Sequence, residues 1–498
     1  MGNRKAETSL RSFSPHDRPT LQGGILMNTT TAETAGFDLT TAEAPVLDGL
    51  NEAMERWFRE NASSINDMAM MLFDHPEEPD EEFYSSGLHR AFLQEQGFTI
   101  EEIDDMPTAF IASWKQGTGS PGLGFLAEYD ALSGMAQKPV PRPAPIEGQS
   151  CGHGCGHNLL GTACTAAACA LKAHMEATGE DGAVYLYGCP AEETMSGKII
   201  MDQKGLFHRL DAAITWHPFT RNRISYDHWL AQDVKHYRFY GKAAHAAVCP
   251  ENGRSALDAA ELMDVGVNYL REHVANDVRI HYNYVHADEP ANIVPDFVEL
   301  GYFIRSGLRS RTDDASERVD NCARGAALMT GTRVEIDLLK SCREFKVNDV
   351  LSTVFHDAMA QIALPSYTEE EIRFAREITE NASLDNVLLR RAKKRGDNLN
   401  DPSLFFGPLL PLEDEPNILS IGTDATEVSH RVPTIMLSAA AFCRGTALHS
   451  WPASAQAGTS IGRRAMMYAA EGMAEGARRL LKDPSLLREA WKEHRQTE

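Results

Sequence analysis

Four short apolar runs decide what this chain can fold into. Gly124-Phe-Leu-Ala127, Ala183-Val-Tyr-Leu-Tyr187, Ala212-Ala-Ile-Thr-Trp216 and Pro433-Thr-Ile-Met-Leu437 each give way to an irregular polar stretch and often to a helical segment. Runs of this length read as buried strands, and strands alternating with helices build a parallel or mixed sheet covered on both faces. The expected fold class is therefore α/β. Helical spacing precedes the first run, through Leu50, Met54, Trp57, Phe58, Ile65, Met68 and Leu72, and returns over about 82–96.

Between about 230 and 345 the rhythm changes. His236-Tyr-Arg-Phe-Tyr240 reads as a strand, then come a helix near 255–272, strands near 278–285 and 296–304, a helix near 312–330 and a strand at 333–338. The order β-α-β-β-α-β is that of a ferredoxin-like sandwich. Four spans follow. Residues 1–42, rich in Thr, Ser, Gly and Pro, are expected to be a mobile tail in which Met27 is a candidate internal start. Residues 43–229 and 346–498 are expected to form one α/β unit, with 230–345 inserted as a second domain. The charged stretch 367–398 is expected to be a solvated helix.

Composition removes several functions. Against 71 Asp+Glu stand 48 Lys+Arg, a net charge of −23 over 498 residues, so the surface repels phosphate backbones and anionic membranes. Neither nucleic acid nor membrane is an expected partner. The longest uncharged run, 148–171, carries Gly, His, Cys and Asn that lipid would not accept. With no secretory signal, the nine cysteines are expected to be free thiols in a reducing cytoplasm.

The chemistry concentrates at four places. Cys155 and His157 flank one glycine in Cys151-Gly-His-Gly-Cys-Gly-His-Asn158, at a helix start where thiolate and imidazole could hold one ion. A Cys151/Cys155 redox pair has the wrong spacing, a zinc knuckle lacks its second Cys/His pair, and a packed loop would leave two His and two Cys without a purpose. Glu192 and Glu193 follow the run at 183–187, in the usual ligand crevice of an open sheet, where two like charges call for a cation or a shared proton. A surface Glu pair is the competing reading. His217 and His449 come just past two more runs, where a lone histidine is more often structural. Together Cys155, His157, Glu193, His217 and His449 suffice for two ions sharing one bridging group, with Asp130 placed to orient His157. Gly117-Thr-Gly-Ser-Pro-Gly122 precedes a strand and so is no dinucleotide loop, and no phosphate-loop motif occurs.

These motifs resemble the M20 family of co-catalytic metallohydrolases, in its amidohydrolase branch. The resemblance rests on Glu128-Tyr-Asp-Ala-Leu132, Gly152 to Gly161, Pro190-Ala-Glu-Glu193, Trp216-His-Pro218, Gly241-Lys-Ala-Ala-His-Ala-Ala247 and Leu448-His-Ser-Trp451, and covers about 45–490. Gly253-Arg-Ser-Ala-Leu-Asp-Ala259, residues 265–274 and 423–429 are similar to the subgroup that cleaves p-aminobenzoyl-glutamate. The resemblance implies a catalytic domain with an inserted lid that also dimerises. It implies two divalent ions, zinc or manganese first and cobalt or nickel after them. Cys155 would bridge, His157 and Glu193 would complete one ion, and His217 and His449 the other. Glu192 would be the general base, His245 would reach the neighbouring subunit's site, and Asn292 and Arg305 would bind substrate. The implied reaction is hydrolysis of an N-acyl amino acid with an aromatic acyl group. The implied assembly is a homodimer, or one with a related subunit. A dipeptidase and, further off, a non-catalytic binding module are the competing readings. One departure stands out: Thr426-Glu427 occupies positions where the subgroup has a small residue and Asp.

Overall fold

The computed structural model describes residues 39, 49–382, 394, 398, 400–419 and 421–496. Its central sheet has seven strands. In chain order they are β1 (Thr99–Ile103), β2 (Met106–Gln116), β3 (Gly122–Glu128), then, after the short pair β4 (Leu132–Ser133) and β5 (Cys151–Gly152), β6 (Gly182–Cys189), β7 (Ala212–Phe219) and β8 (Arg223–Ile224). The last member, β15 (Thr434–Ala440), arrives much later in the chain, and the spatial order is β1-β2-β6-β3-β7-β15-β8. The four middle strands β6, β3, β7 and β15 run parallel, whereas β1, β2 and β8 are antiparallel to their neighbours. Every residue of β3, β6 and β15 is buried, as a sheet covered on both faces requires. The α/β expectation holds, with a mixed sheet.

One face is covered by α1 (Glu52–Asp74), α2 (Phe83–Glu95), α3 (His157–Thr178) and the helix Ser460–Lys482, which share one apolar core with the strands. On the other face lie α4 (Gly197–Gln203) and the turn of helix Ala425–Ser429, around Met201, Phe207, Val428 and Val432. Helix α3 lies directly on β3. A Cβ at Gly161 would come within 2.5 Å of the Glu128 carbonyl oxygen, so only glycine permits the approach.

Between the two halves of this unit run β10 (Ala231–Tyr240), α5 (Ala256–Leu270), β11 (Arg279–His286), β12 (Phe297–Ser306), α6 (Arg309–Thr330) and β13 (Arg333–Cys342). They form a second, antiparallel sheet of order β11-β12-β10-β13 with its own core of Tyr237, Phe239, Met263, Val298, Tyr302 and Val319. Short parallel strands β9 (Asp227–Trp229) and β14 (Asn417–Leu419) pair beside the junction.

Two sequence expectations need correction or restriction, and one element was not expected. The β1–β2 hairpin had no place in the run-and-helix pattern, because its strands carry Glu101, Glu102, Lys115 and a Pro107 that hide the period. Of the expected tail only Leu39 is described, and it is buried, its carbonyl accepting from Ser460 N at 3.0 Å and Arg463 Nη2 at 3.2 Å. Within 367–398, Glu369–Asn381 forms a helix that buries Ile372, Phe374, Ala375 and Ile378, so it is amphipathic, not solvated all round; most of 383–399 falls outside the described residues.

Candidate metal centre

The donors converge at the carboxyl ends of the parallel strands. Cys155 and His157 sit on either side of Gly156, whose φ of 84° starts α3 in the left-handed region that favours glycine. A tie from Trp216 Nε1 to the Leu160 carbonyl, 3.0 Å, fixes β7 to this helix and with it His217. Beyond β6 the chain turns sharply, with Ala191 at φ 55° and Met195 at φ 52°, and that turn presents Glu192 and Glu193. Buried Glu82 steadies it, Oε1 accepting from Ala191 N at 2.7 Å. His449 is set at φ 56°, with its N–H donating to the Gly154 carbonyl at 3.0 Å.

All five expected donors are brought together. Cys155 Sγ belongs to two groups whose donor atoms lie within 4.8 Å of one another, one with His157 and His217, the other with Glu193 and His449. This corrects the expected pairing of His157 with Glu193 and of His217 with His449: His217, on β7, sits beside the start of α3, its ring 5.9 Å from that of His157. Cys155 Sγ is 3.4 Å from His217 Nε2, and Glu193 Oε2 is 3.2 Å from His449 Nε2. His157 Nε2 stands 3.9 Å from both Glu193 Oε1 and Glu192 Oε2. In His157 and His217 the ring nitrogen that does not face the cluster is occupied. His157 Nδ1 donates to Asp130 Oδ1 at 2.8 Å, and His217 Nδ1 to the Pro218 carbonyl at 2.9 Å. Asp130 Oδ2 accepts from Glu193 N, also at 2.8 Å.

The electrostatics show a site short of cations. Burial, the Glu128 charge and the Glu193 charge push Glu192 well above the usual carboxylate range. Burial also pushes Glu128 upward, but Lys198, His157 and His217 outweigh it and hold the carboxyl low. Burial and Glu193 raise the Cys155 thiol, while burial and His157 bring His217 down to about 4. His157 Nε2 and Glu193 Oε1 are buried without any hydrogen-bond partner. Unpartnered lone-pair atoms among a thiol, imidazoles and carboxylates are a donor set that fits divalent ions.

No family model matches the chain. Among solved structures, a dinuclear metal-binding peptidase of the M20 family from Bacillus subtilis superposes with a TM-score of 0.57 at 16% identity, over 84% of this chain and 98% of that one. Among curated proteins, one of the subunits of the p-aminobenzoyl-glutamate hydrolase of Escherichia coli (strain K12) is 37% identical over 442 residues, 86% of this chain and 92% of the relative. The chain belongs to the M20 family. This M20 protein is also 31% identical, over 308 residues, to the Xaa-Arg dipeptidase of Mus musculus, 60% of this chain and 68% of that one. It is a hydrolase of amide or peptide bonds, and its donor cluster suits divalent metal ions.

Three sequence-expected residues lie on the second sheet's unit. Exposed His245 accepts at Nδ1 from Ala247 N and Val248 N, both 3.2 Å, and its strand bridge to Ile293 sets it beside exposed Asn292. Arg305, on β12, stacks on Phe303 at 5.0 Å, its buried Nε without a partner. Among the described residues no hydrogen bond links these three to the donor cluster. Sequence reasoning assigned nothing to Glu82, Glu128, Lys198 or Asp424. Glu128 and Asp424 stood inside quoted motifs; Lys198 carried no signal, since its partners are remote in sequence. The departure at Thr426-Glu427 has a structural use: Glu427 takes Arg343, just past β13, through its backbone N (2.7 Å) and Nη2 (2.6 Å).

Among the described residues no helix is long and apolar enough to cross a membrane. Each of the nine cysteines is free.

Proposed function

We propose that this M20 hydrolase cleaves the amide bond of an N-acyl amino acid with an aromatic acyl group and a free carboxylate, of which p-aminobenzoyl-glutamate is the model substrate. The observation that carries the reading is Glu192. It is a buried carboxyl beside a complete five-donor cluster, and a purely structural site has no use for it. In this reading Cys155 bridges, His157 and His217 complete one ion, and Glu193 and His449 the other, a pairing supported by the two donor groups that share Cys155, with Asp130 holding His157 in its donor tautomer. Thiolate with imidazole suits zinc, and manganese, cobalt and nickel are the alternatives. When bound, such a pair would bring the pKa of water down to about 7 and polarise the scissile carbonyl.

Glu192 then takes the proton of the attacking water and delivers it to the departing nitrogen, which leaves as a neutral amine. Arg305 and Asn292 hold the substrate carboxylate, and Arg can do so through two parallel hydrogen bonds. His245 serves a second copy of the chain, where its imidazole stabilises the developing oxyanion. The protein works as a homodimer in this reading. The Escherichia coli relative carries the name of one subunit of its enzyme, which supports a related second chain as a further partner. Free thiols fit a reducing cytoplasm.

The test is release of glutamate from p-aminobenzoyl-glutamate by protein reloaded with zinc or manganese, beside a panel of dipeptides. Cleavage abolished by a chelator and restored by metal supports the reading. Cleavage of dipeptides alone would replace it with a dipeptidase, the activity that the Mus musculus relative's name carries.

A further inference from the structure

One buried carboxylate beside the cluster has no role in that scheme. Glu128 closes β3 and is 2% exposed. Its Oε1 accepts from Lys198 Nζ at 2.7 Å. Its Oε2 is buried with no hydrogen-bond partner and stands 3.5 Å from His157 Nε2, which is also buried and unpartnered. That separation is too long for a good hydrogen bond. It matches instead two ligands of one ion: an imidazole nitrogen and a carboxylate oxygen, each about 2.0–2.2 Å from a tetrahedral metal, lie about 3.4 Å apart.

Lys198 explains why only one oxygen is on offer. The residue is 0% exposed, and its ammonium also pairs with Asp424, while its backbone N–H donates to Asp424 Oδ2 at 2.7 Å. An ammonium fixed from two sides locks Oε1 away from the cluster and leaves Oε2 as the single free donor. It also offsets part of the negative charge that a third carboxylate adds to Glu192 and Glu193, without which burying so many acids would be prohibitive.

Resting on the metal-dependent reading above, we propose that Glu128 is a further metal ligand, giving Oε2 to the ion that His157 Nε2 holds, with Lys198 as the positioning residue that makes it a one-oxygen donor. The site then takes six protein ligands, the sixth coming from the end of β3.

Glu128→Gln is the informative variant. The amide keeps the shape and an oxygen for Lys198, but turns toward His157 an NH2 group that binds no metal. Zinc titrated calorimetrically into metal-free protein, and the visible absorption of the cobalt-loaded form, both read the site without turnover. The wild type should take up two ions. In Glu128→Gln one of them should weaken by at least the roughly ten- to hundred-fold that losing even an outer partner of a ligand costs, with a changed cobalt spectrum. Asp424→Asn disturbs the same Lys198 pairing without removing a donor, and should leave both affinities and the spectrum as in the wild type. Glu128→Asp, which withdraws Oε2 by one methylene, should weaken binding as Glu128→Gln does, and stands in if that variant does not fold. Unchanged affinities and spectrum in the Glu128 variants overturn the proposal, leaving Glu128 as a structural partner of Lys198. Equal weakening in Asp424→Asn overturns it too, tracing the loss to packing around Lys198. A wild type that binds no ions, or Cys155→Ala binding two as tightly as the wild type, refutes the underlying hydrolase reading instead.

Discussion

Asp130 holds His157 and, through its other oxygen, the backbone of Glu193: Oδ1 takes the His157 Nδ1 proton and Oδ2 the Glu193 N–H, each at 2.8 Å. One buried carboxylate thus orients two donors from elements far apart in the chain. Asp130→Ala should therefore lower metal affinity by about ten- to a hundred-fold, since an unpinned imidazole loses both its tautomer and its aim. Competition with a chelating dye measures it, and unaltered affinity would mean that packing alone sets the His157 ring.

Glu192 and Cys155 should separate under mutation. Glu192→Gln keeps the donors and removes the base, so both metals should stay bound while turnover falls by roughly a hundred- to ten-thousand-fold. Cys155→Ala should lose metal, because one thiolate serves both donor groups. Metal analysis of the two purified variants, beside their rates, decides between these roles; a metal-free Glu192→Gln protein would reject the division.

Glu82 makes stability depend on pH. Burial and then the Asp130 charge lift its carboxyl from an ordinary 4.5 to about 7. An acid raised on folding stays protonated in the native state while the unfolded chain ionises, so its stabilising contribution is full below about 4.5 and is lost as pH rises through 7, up to about 3 kcal/mol. Glu82→Gln should flatten the slope of unfolding free energy between those limits. Chemical denaturation of the metal-free protein across that range would show it, and an unchanged slope would assign the dependence elsewhere.

Arg305 should read the substrate's carboxylate. Arg305→Ala is expected to slow cleavage of an acyl-glutamate more than that of the matching α-amide, because a neutral amide cannot accept the paired hydrogen bonds. Equal losses on both substrates would leave Arg305 a packing residue over Phe303.

His245 should act across subunits. Mixing Glu192→Gln and His245→Ala chains unites an intact Glu192 and an intact His245 at one site of each mixed dimer, so statistical exchange should restore about a quarter of wild-type activity. Exchange seen by native mass spectrometry without recovery would confine His245 to its own chain.

The sequence by itself determined the strands that carry the site, the five candidate donors and the residue types that suit them to metal, because each is a local signal: an apolar run, then a Cys, His or Glu within a few positions of its end. The helix–strand order of the inserted sheet was legible for the same reason, as alternation and helical spacing are properties of short windows. The β1–β2 hairpin was not, since the edge strand β1 carries Glu101 and Glu102 and β2 carries Pro107 and Lys115, which blur the period. What only the tertiary structure decided is which remote groups meet. Lys198 and Asp424 are separated by 226 positions and pair only because α4 and the helix Ala425–Ser429 share one face of the sheet. Glu128 faces His157 only because Gly161 lets α3 lie on the end of β3. Such contacts come from the packing of elements, where each partner's own neighbours in sequence carry no trace of the other.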